Sequence, residues 1–249
     1  MQKIKIVLPA YNEEESLPEL LKEIDFFYSH CGLNLEVIVV NDGSKDNTAG
    51  VVNNFPGKVP VRLLDFKENG GLGKVIKDGL FEAVKDLEDT DVVVTLDADN
   101  SQNPNLIKRM VSQIHEGSEL VIASRYREGS RILGLTRFRK FTSFMAGSIF
   151  MVFVGIEGVK DYTCGFRAYK ASLLKRGIEK YGDKLIEERG FGCMIEILLK
   201  LNTLKPVINE VPMILRYDLK QGDSKMNVSK TIKQTLNILK EYLFGNRFK

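Results

Sequence analysis

Val92-Val93-Val94-Thr95-Leu96-Asp97-Ala98-Asp99-Asn100 is an apolar, largely β-branched run that stops on two carboxylates. Such a run reads as a buried parallel strand. Asp97 and Asp99 are two residues apart, so in extended backbone they point the same way. Carboxylates at the carboxyl end of a central strand lie where open α/β sheets bind ligands. They are also hard oxygen ligands of the kind that hold Mg²⁺ or Mn²⁺ against substrate phosphates. The plain alternative is an Asp-rich turn in which Asp99 or Asn100 caps the next element. The rest of the chain has to decide.

Working outward, the first half repeats strand and helix about every 30 residues, the spacing of βαβ units with right-handed crossovers. Strand patterns run over Ile4 to Leu8, Leu35 to Val40, Val61 to Leu64 and Leu120 to Ala123. Between them lie helical faces: Leu17, Leu20, Leu21 and Ile24; Val75, Ile76, Leu80 and Val84; Leu106, Ile107, Met110 and Ile114. Asn12 and Ser16 suit helix caps. The second half is less regular. Arg131, Arg137, Arg139 and Lys140 precede an apolar segment, Phe141 to Ile156. Next come the polar stretch Asp161 to Tyr169, a helix near Cys193 to Leu201 and a strand pattern over Val207 to Leu215. The last helix carries Ile232, Leu236, Leu239 and Leu243 on one side, with Lys230, Lys233 and Lys240 off it.

Composition narrows the function. The 249 residues are 43% hydrophobic, enough to bury one large core. A formal net charge of +3 is too mild for a nucleic-acid surface. Cys31, Cys164 and Cys193 are odd in number and widely spaced, which suggests neither a disulfide framework nor a zinc site. His30 and His115 leave almost no material for a histidine metal site or a serine–histidine triad. The opening residues enter a strand directly, predicting no signal peptide. Phe141 to Ile156 is shorter than the roughly 20 residues of a spanning helix. A reducing cytosolic setting is expected.

Local chemistry then separates the nucleotide-binding classes. The first strand leads into Pro9-Ala10-Tyr11-Asn12-Glu13-Glu14, without the glycines of a dinucleotide fingerprint. Gly70-Gly71-Leu72-Gly73-Lys74-Val75 has the wrong spacing for a P-loop and no hydroxyl after the lysine. The glycine-rich, arginine-containing loop of a sugar nucleotidyltransferase is also absent. What remains is acidic residues at the ends of strands one, two and four. Asp42 suits either a hydrogen bond to a base or ribose, or an ordinary turn.

Four motifs, Pro9-Ala10-Tyr11-Asn12-Glu13, Val39-Val40-Asn41-Asp42-Gly43-Ser44, Asn69-Gly70-Gly71-Leu72-Gly73-Lys74 and Asp97-Ala98-Asp99, together resemble in order and spacing the inverting family 2 glycosyltransferases of GT-A fold. Ser124-Arg125-Tyr126, Asp161 to Ala168, Glu210-Val211-Pro212 and Gly222-Asp223-Ser224-Lys225 resemble the dolichyl-phosphate mannose synthase branch. The likeness covers roughly positions 4 to 228. It implies a Rossmann-like, mostly parallel sheet flanked by helices over residues 1–228. Residues 1–124 would form the nucleotide-sugar half and 125–228 the acceptor half, with 229–249 an amphipathic helix. It implies that Pro9, Ala10, Tyr11, Glu13, Val40 and Asp42 hold base and ribose, that Asp97 meets the ribose or metal region, and that Ala98 meets the nucleotide through its backbone. Asp99 would hold the divalent cation, Mg²⁺ or Mn²⁺, assisted by Asp97 and by Ser101 or Gln102. Arg125, and Arg216 with Lys225, would hold the diphosphate, with Lys220 a rival to Arg216. Two departures stand out: Asn41-Asp42 where the branch often has Asp-Asp, and a long span from Arg216 to Lys225.

The expected reaction transfers a hexose, from GDP-mannose or UDP-glucose, to polyprenyl phosphate at the cytoplasmic face of a membrane. A phosphate acceptor needs cations, and Arg131 to Lys140 beside Phe141 to Ile156 suits a phosphate head on an apolar tail. A hydroxyl acceptor would instead need a general base, Asp161 ahead of Glu187 or Glu188. Phe166 and Arg167 either shape the acceptor site or pack a loop, and Glu187 to Phe191 resembles an acceptor loop. The last helix either lies on an anionic membrane or packs on the domain. A non-catalytic nucleotide-sugar-binding protein is the alternative from another class.

Overall fold

The computed structural model describes residues 2–135, 149–219, 228–245 and 247–248, with side chains in 228–231 excepted. Arg137, Arg139, Lys140, Lys220, Lys225 and the first half of the Phe141 to Ile156 segment therefore lie outside the described residues.

The first half alternates as its periodicity predicts. Strand β1 (Lys3–Ala10) leads through α1 (Leu17–Cys31) to β2 (Asn34–Asp42) and α2 (Thr48–Asn53). Then come β3 (Val61–Phe66), α3 (Leu72–Val84), β4 (Val92–Thr95), α4 (Leu106–His115) and β5 (Leu120–Ser124). The predicted apolar faces of α1 and α3 are buried, as are Ile107, Met110 and Ile114 of α4. Later elements are β6 (Arg131–Leu133), β7 (Arg167–Lys170), α5 (Ala171–Tyr181) and a 3₁₀ turn over Gly182–Leu185. They continue with α6 (Cys193–Asn202), β8 (Ile208–Pro212), β9 (Ile214–Arg216) and α7 (Val228–Phe244).

Among the described residues seven strands form one sheet, in the order β3-β2-β1-β4-β7-β5-β8. All pairs are parallel except those of β7, which runs antiparallel to both β4 and β5. Leu8 pairs with Val39, and Val7 with Thr95, so β1, β2 and β4 end at one edge. The strand order reverses beside β1, and the crevice at such a switch point is where open α/β sheets take ligands. Asp42, Asp97 and Asp99 all arrive there.

Three expectations are corrected. First, the strand pattern over Val207 to Leu215 is two strands in two sheets. Buried Met213 is the break, its N–H bonded to the Ser124 carbonyl (3.0 Å) and its own carbonyl accepting from Arg131 N–H (3.0 Å). After it β9 pairs in parallel with β6 in a separate ribbon. Second, Ser16 makes no side-chain cap, and Asn12 instead accepts the Lys45 N–H (2.7 Å), tying the β1 loop to the β2 loop. Third, the apolar side expected on α7 is divided between core and surface. Thr235, Ile238 and Leu239 are buried, whereas Ile232, Leu236 and Leu243 are exposed. The helix docks where Gly192 leaves room for Ile238, and that contact fixes its rotation.

Candidate active site

The chain leaves β4 at Thr95 and folds back on itself. Gln102 bridges Asp97 at both ends: its Oε1 accepts the Asp97 N–H (3.1 Å) and its Nε2 donates to Asp97 Oδ2 (2.6 Å). Asp99 Oδ1 accepts from Ser101 N–H (3.1 Å) and Ser101 Oγ (2.6 Å). Asn100 closes the turn at φ +57°, a left-handed conformation that asparagine tolerates better than most residues. Its buried Oδ1 has no hydrogen-bond partner. The β9 strand lies alongside, with Arg216 N–H bonded to the Ser101 carbonyl (2.8 Å) and Leu215 bridged to Gln102.

The edge expected to take the nucleotide is built from the loops after β1 and β2. Asn41 Nδ2 donates to Asp65 Oδ1 (2.7 Å), and Asn41 Oδ1 accepts from Ser44. Ser44 Oγ in turn accepts the Asn12 N–H (2.9 Å), and Thr48 Oγ1 accepts the Glu13 N–H (2.9 Å). Asp42 accepts the N–H groups of Gly70 (2.7 Å) and Gly71 (3.0 Å), one on each carboxylate oxygen. Its first role is thus to clamp the glycine turn. Val40 is wholly buried and meets α3 at Gly79, so its side chain belongs to the core. Pro9, Ala10, Tyr11 and Glu13 do gather at this edge, and Ala98 is buried.

Arg125 follows β5 and is held by Asp161. Its Nε donates to Asp161 Oδ2 (2.8 Å), its Nη2 to Oδ1 (2.6 Å), and its own N–H to Oδ2 (3.0 Å). Asp161 Oδ1 also accepts from the N–H of Cys164 (3.1 Å). Burial alone would raise the Asp161 pKa, but the guanidinium and these donors hold it below the usual range, and Arg125 is pushed well above its own. Glu210 supports the loop from behind, Oε1 accepting the N–H of Lys160 and of Asp161 (2.7 Å each), while burial raises its own pKa. Burial likewise pushes the Cys164 thiol up to about 12, which makes it inert.

A general base at Asp161 does not fit this geometry. The carboxylate is fully buried, charged and engaged on both oxygens. Arg167 does not face an acceptor either: it is buried, donating to the carbonyls of Met194 (2.6 Å) and Tyr162 (2.8 Å). Glu187 is held below its usual pKa, against partial burial, by Lys200 and then Arg247. Arg216 is half-buried and forms a two-pronged pair with Asp218, Nη2 to Oδ2 at 2.8 Å. Sequence reasoning missed Gly165. A Cβ there would come within 3.1 Å of Asp97 Oδ1, so glycine keeps that flank open, and its carbonyl accepts from Thr95 Oγ1 (2.6 Å).

Among the described residues no three His, Cys, Asp or Glu side chains converge as a metal cage. The donors on hand are Asp99, Asp97 and the amide oxygens of Asn100 and Gln102. The unpartnered Asn100 Oδ1 fits a hard cation beside Asp99. Mg²⁺ and its like are commonly bound by one or two carboxylates plus substrate phosphates.

Residues 5–178 match the family Glycosyl transferase family 2, and the chain belongs to it. It is 33% identical over 233 residues to the dolichol-phosphate mannosyltransferase of Pyrococcus furiosus, covering 92% of this chain and 60% of that one. It is 26% identical to the polyprenol monophosphomannose synthase of Mycolicibacterium smegmatis, covering 92% and 82%. An undecaprenyl-phosphate 4-deoxy-4-formamido-L-arabinose transferase of Klebsiella pneumoniae is 29% identical, with 93% and 65% covered. The chain thus spans less than two thirds of the length of the Pyrococcus and Klebsiella relatives. In three dimensions it follows glucosyl-3-phosphoglycerate synthase from Mycobacterium tuberculosis, solved with Mn²⁺, UDP and phosphoglyceric acid. The TM-score is 0.69 at 19% identity, over 98% of this chain and 79% of that one. The fold is GT-A.

Proposed function

We propose that this chain transfers a hexose from a nucleotide sugar to a polyprenyl phosphate, with inversion. The observation that carries the reading is the Asp97–Gln102 turn at the sheet's switch point, with an unpartnered amide oxygen beside Asp99 and a fixed guanidinium after β5. Asp99, with Asp97, Asn100 and Gln102 alongside, would hold Mg²⁺ or Mn²⁺, which when bound offsets the negative charge growing on the departing diphosphate. Arg125 supplies a permanent positive charge to the same end of the sheet. Asp161 keeps it aimed, so no reorganisation is needed as charge develops. Pro9, Ala10, Tyr11, Glu13 and the Asp42-clamped turn would seat base and ribose. Arg216 would add a second cation on exchanging Asp218 for diphosphate, with Lys225 following it.

A phosphate acceptor arrives already anionic and needs no proton removed. Asp161 engaged with Arg125 favours that acceptor over a hydroxyl, and the named relatives are transferases to dolichol, polyprenol and undecaprenyl phosphates. The same reading sets the chain against a lipid surface. Among the described residues no helix is long and apolar enough to cross a membrane. The exposed side of α7 nonetheless carries Ile232, Leu236, Leu243 and Phe244, with Lys233 and Lys240.

The test is transfer of labelled sugar into an organic-extractable product. It takes purified protein, Mg²⁺ or Mn²⁺, polyprenyl phosphate, and a panel of GDP- and UDP-sugars, with Asp99→Ala as control. Metal-dependent lipid labelling, lost in the control, is expected. Donor binding without lipid labelling, with sugar appearing on a water-soluble acceptor, would overturn the lipid reading.

A further inference from the structure

The most heavily bonded carboxylate outside the site is Glu196, wholly buried on α6. Its Oε2 accepts the N–H groups of Glu187 (2.9 Å) and Glu188 (2.7 Å). Its Oε1 accepts from Lys200 Nζ (2.6 Å) and from Arg247 Nε (3.0 Å) and Nη2 (2.7 Å). Lys200 also bonds Glu187 Oε2 (2.9 Å) and the Lys184 carbonyl. Buried charges are costly unless paired and fully bonded, so a cluster this complete fixes geometry more than it adds stability. What it fixes is the turn over residues 187–190.

That turn sits on the start of α3. The Arg189 carbonyl accepts the Gly73 N–H (3.0 Å). A Cβ at Gly71 would lie 2.6 Å from the Arg189 carbonyl oxygen, and one at Gly73 would overlap that of Glu188. The glycines are therefore a flat seat for a second backbone. On its other side the glycine turn gives the Gly70 and Gly71 N–H groups to Asp42. Helix α7 closes the arrangement, with Gln234 Nε2 donating to Glu188 Oε1 (2.7 Å).

We propose that Arg247 is a positioning residue for the nucleotide sugar. It holds Glu196, Glu196 holds the 187–190 turn, and that turn holds Gly70–Gly73 and with them the Asp42 carboxylate. The inference rests on the reading that the ends of β1 and β2 take the nucleotide. It predicts a coupling from a residue beyond α7 to the donor end of the sheet, through one contiguous set of hydrogen bonds.

The experiment uses the full chain and the Arg247→Ala, Arg247→Lys and Gln234→Ala variants. Binding of GDP and UDP with Mn²⁺ is measured by calorimetry, kcat and donor KM by turnover, and amide exchange at Gly73 by mass spectrometry or NMR. Arg247→Ala is expected to raise donor Kd and KM by about three- to tenfold with kcat within about twofold, and to speed Gly73 exchange. Gln234→Ala should move both in the same direction, and Arg247→Lys should restore part of the loss. A fall in melting temperature with donor Kd and Gly73 exchange unchanged would make Arg247 merely structural and overturn the proposal. Failure of the unsubstituted chain to bind either nucleotide would instead overturn the donor-site reading and this inference with it.

Discussion

Arg125 and Asp161 show how a buried carboxylate paired with a partly buried guanidinium can imitate an acid–base residue in sequence. An aspartate in a polar stretch after the donor half looks available, but here it is spent on a guanidinium. Two outcomes separate the roles. If Asp161 positions Arg125, Asp161→Asn should lower kcat/KM by about 10- to 100-fold, the usual cost of losing an outer-shell partner, and keep the shape of the pH–rate profile. If it is a base, the acid limb of that profile should disappear. Its folded pKa is lowered, so its contribution to stability is present above the unfolded value near 3.9 and is lost as pH falls through the folded value. Glu210 behaves oppositely. Its folded pKa is raised by burial, so its ionisation is penalised as pH rises from the unfolded value near 4.3 through the folded one. Glu210→Gln keeps an acceptor for Lys160 and Asp161 and should fall within about 1 kcal/mol of the parent in urea. Glu210→Ala leaves the buried Asp161 N–H and the partly buried Lys160 N–H without their acceptor and should cost about 1–3 kcal/mol.

At the scale of elements, the glycine turn before α3 is caught between the Asp42 carboxylate and the backbone of residues 188 and 189. Gly73 has an ordinary helical place, so its intolerance of a side chain is purely steric. Gly73→Ala should cost about 1–3 kcal/mol by overpacking and displace the 187–190 turn. Gly32→Ala is the contrast: a positive φ of +68° with nothing within 4 Å, so it should cost only about 1 kcal/mol, for the strained backbone alone. Chemical denaturation of the two variants checks the difference. The seat was not legible in the chain, because the backbone that fills it comes from the far side of α5. Local patterns were legible. The runs at Ile4, Leu35 and Val92 show as near-continuous apolar stretches of strands buried on both faces, and the faces of α1 and α3 show as period 3.6. Strand β7 was hidden because Arg167-Ala168-Tyr169-Lys170 has no strand-like alternation, and only its place between β4 and β5 makes it a strand. The Asp97-Ala98-Asp99 turn was legible as chemistry, since it needs only adjacent residues. The pairing of Arg125 with Asp161 joins two loops and needed the fold.

For the whole molecule, the proposed function puts the donor at the switch point beside β1 and leaves the acceptor to come from the surface. The apolar stripe on α7 was legible from its spacing, but its orientation was not, because Gln234 and Ile238 dock the helix by the neighbouring face. The outcome leaves Leu236 and Phe244 facing water, Phe244 at 82% exposure, and the helical residues 151–153 add Val152 and Phe153 at 77% and 59%. Apolar side chains left in water at that density favour a lipid boundary, and lysines beside them favour an anionic one. The expected result is co-sedimentation with vesicles containing anionic lipid, weakened by salt because Lys233 and Lys240 act through a screened field. Inserting two apolar side chains is worth about 1.5–3 kcal/mol each when fully buried, so Leu236→Glu combined with Phe244→Glu should reduce partitioning more than about tenfold. Both positions are exposed, so the fold and donor binding should survive, and the loss should appear in transfer to a vesicle-borne acceptor before it appears in transfer to a short, detergent-soluble one. Undiminished sedimentation of the double variant at low salt would remove α7 from the lipid contact.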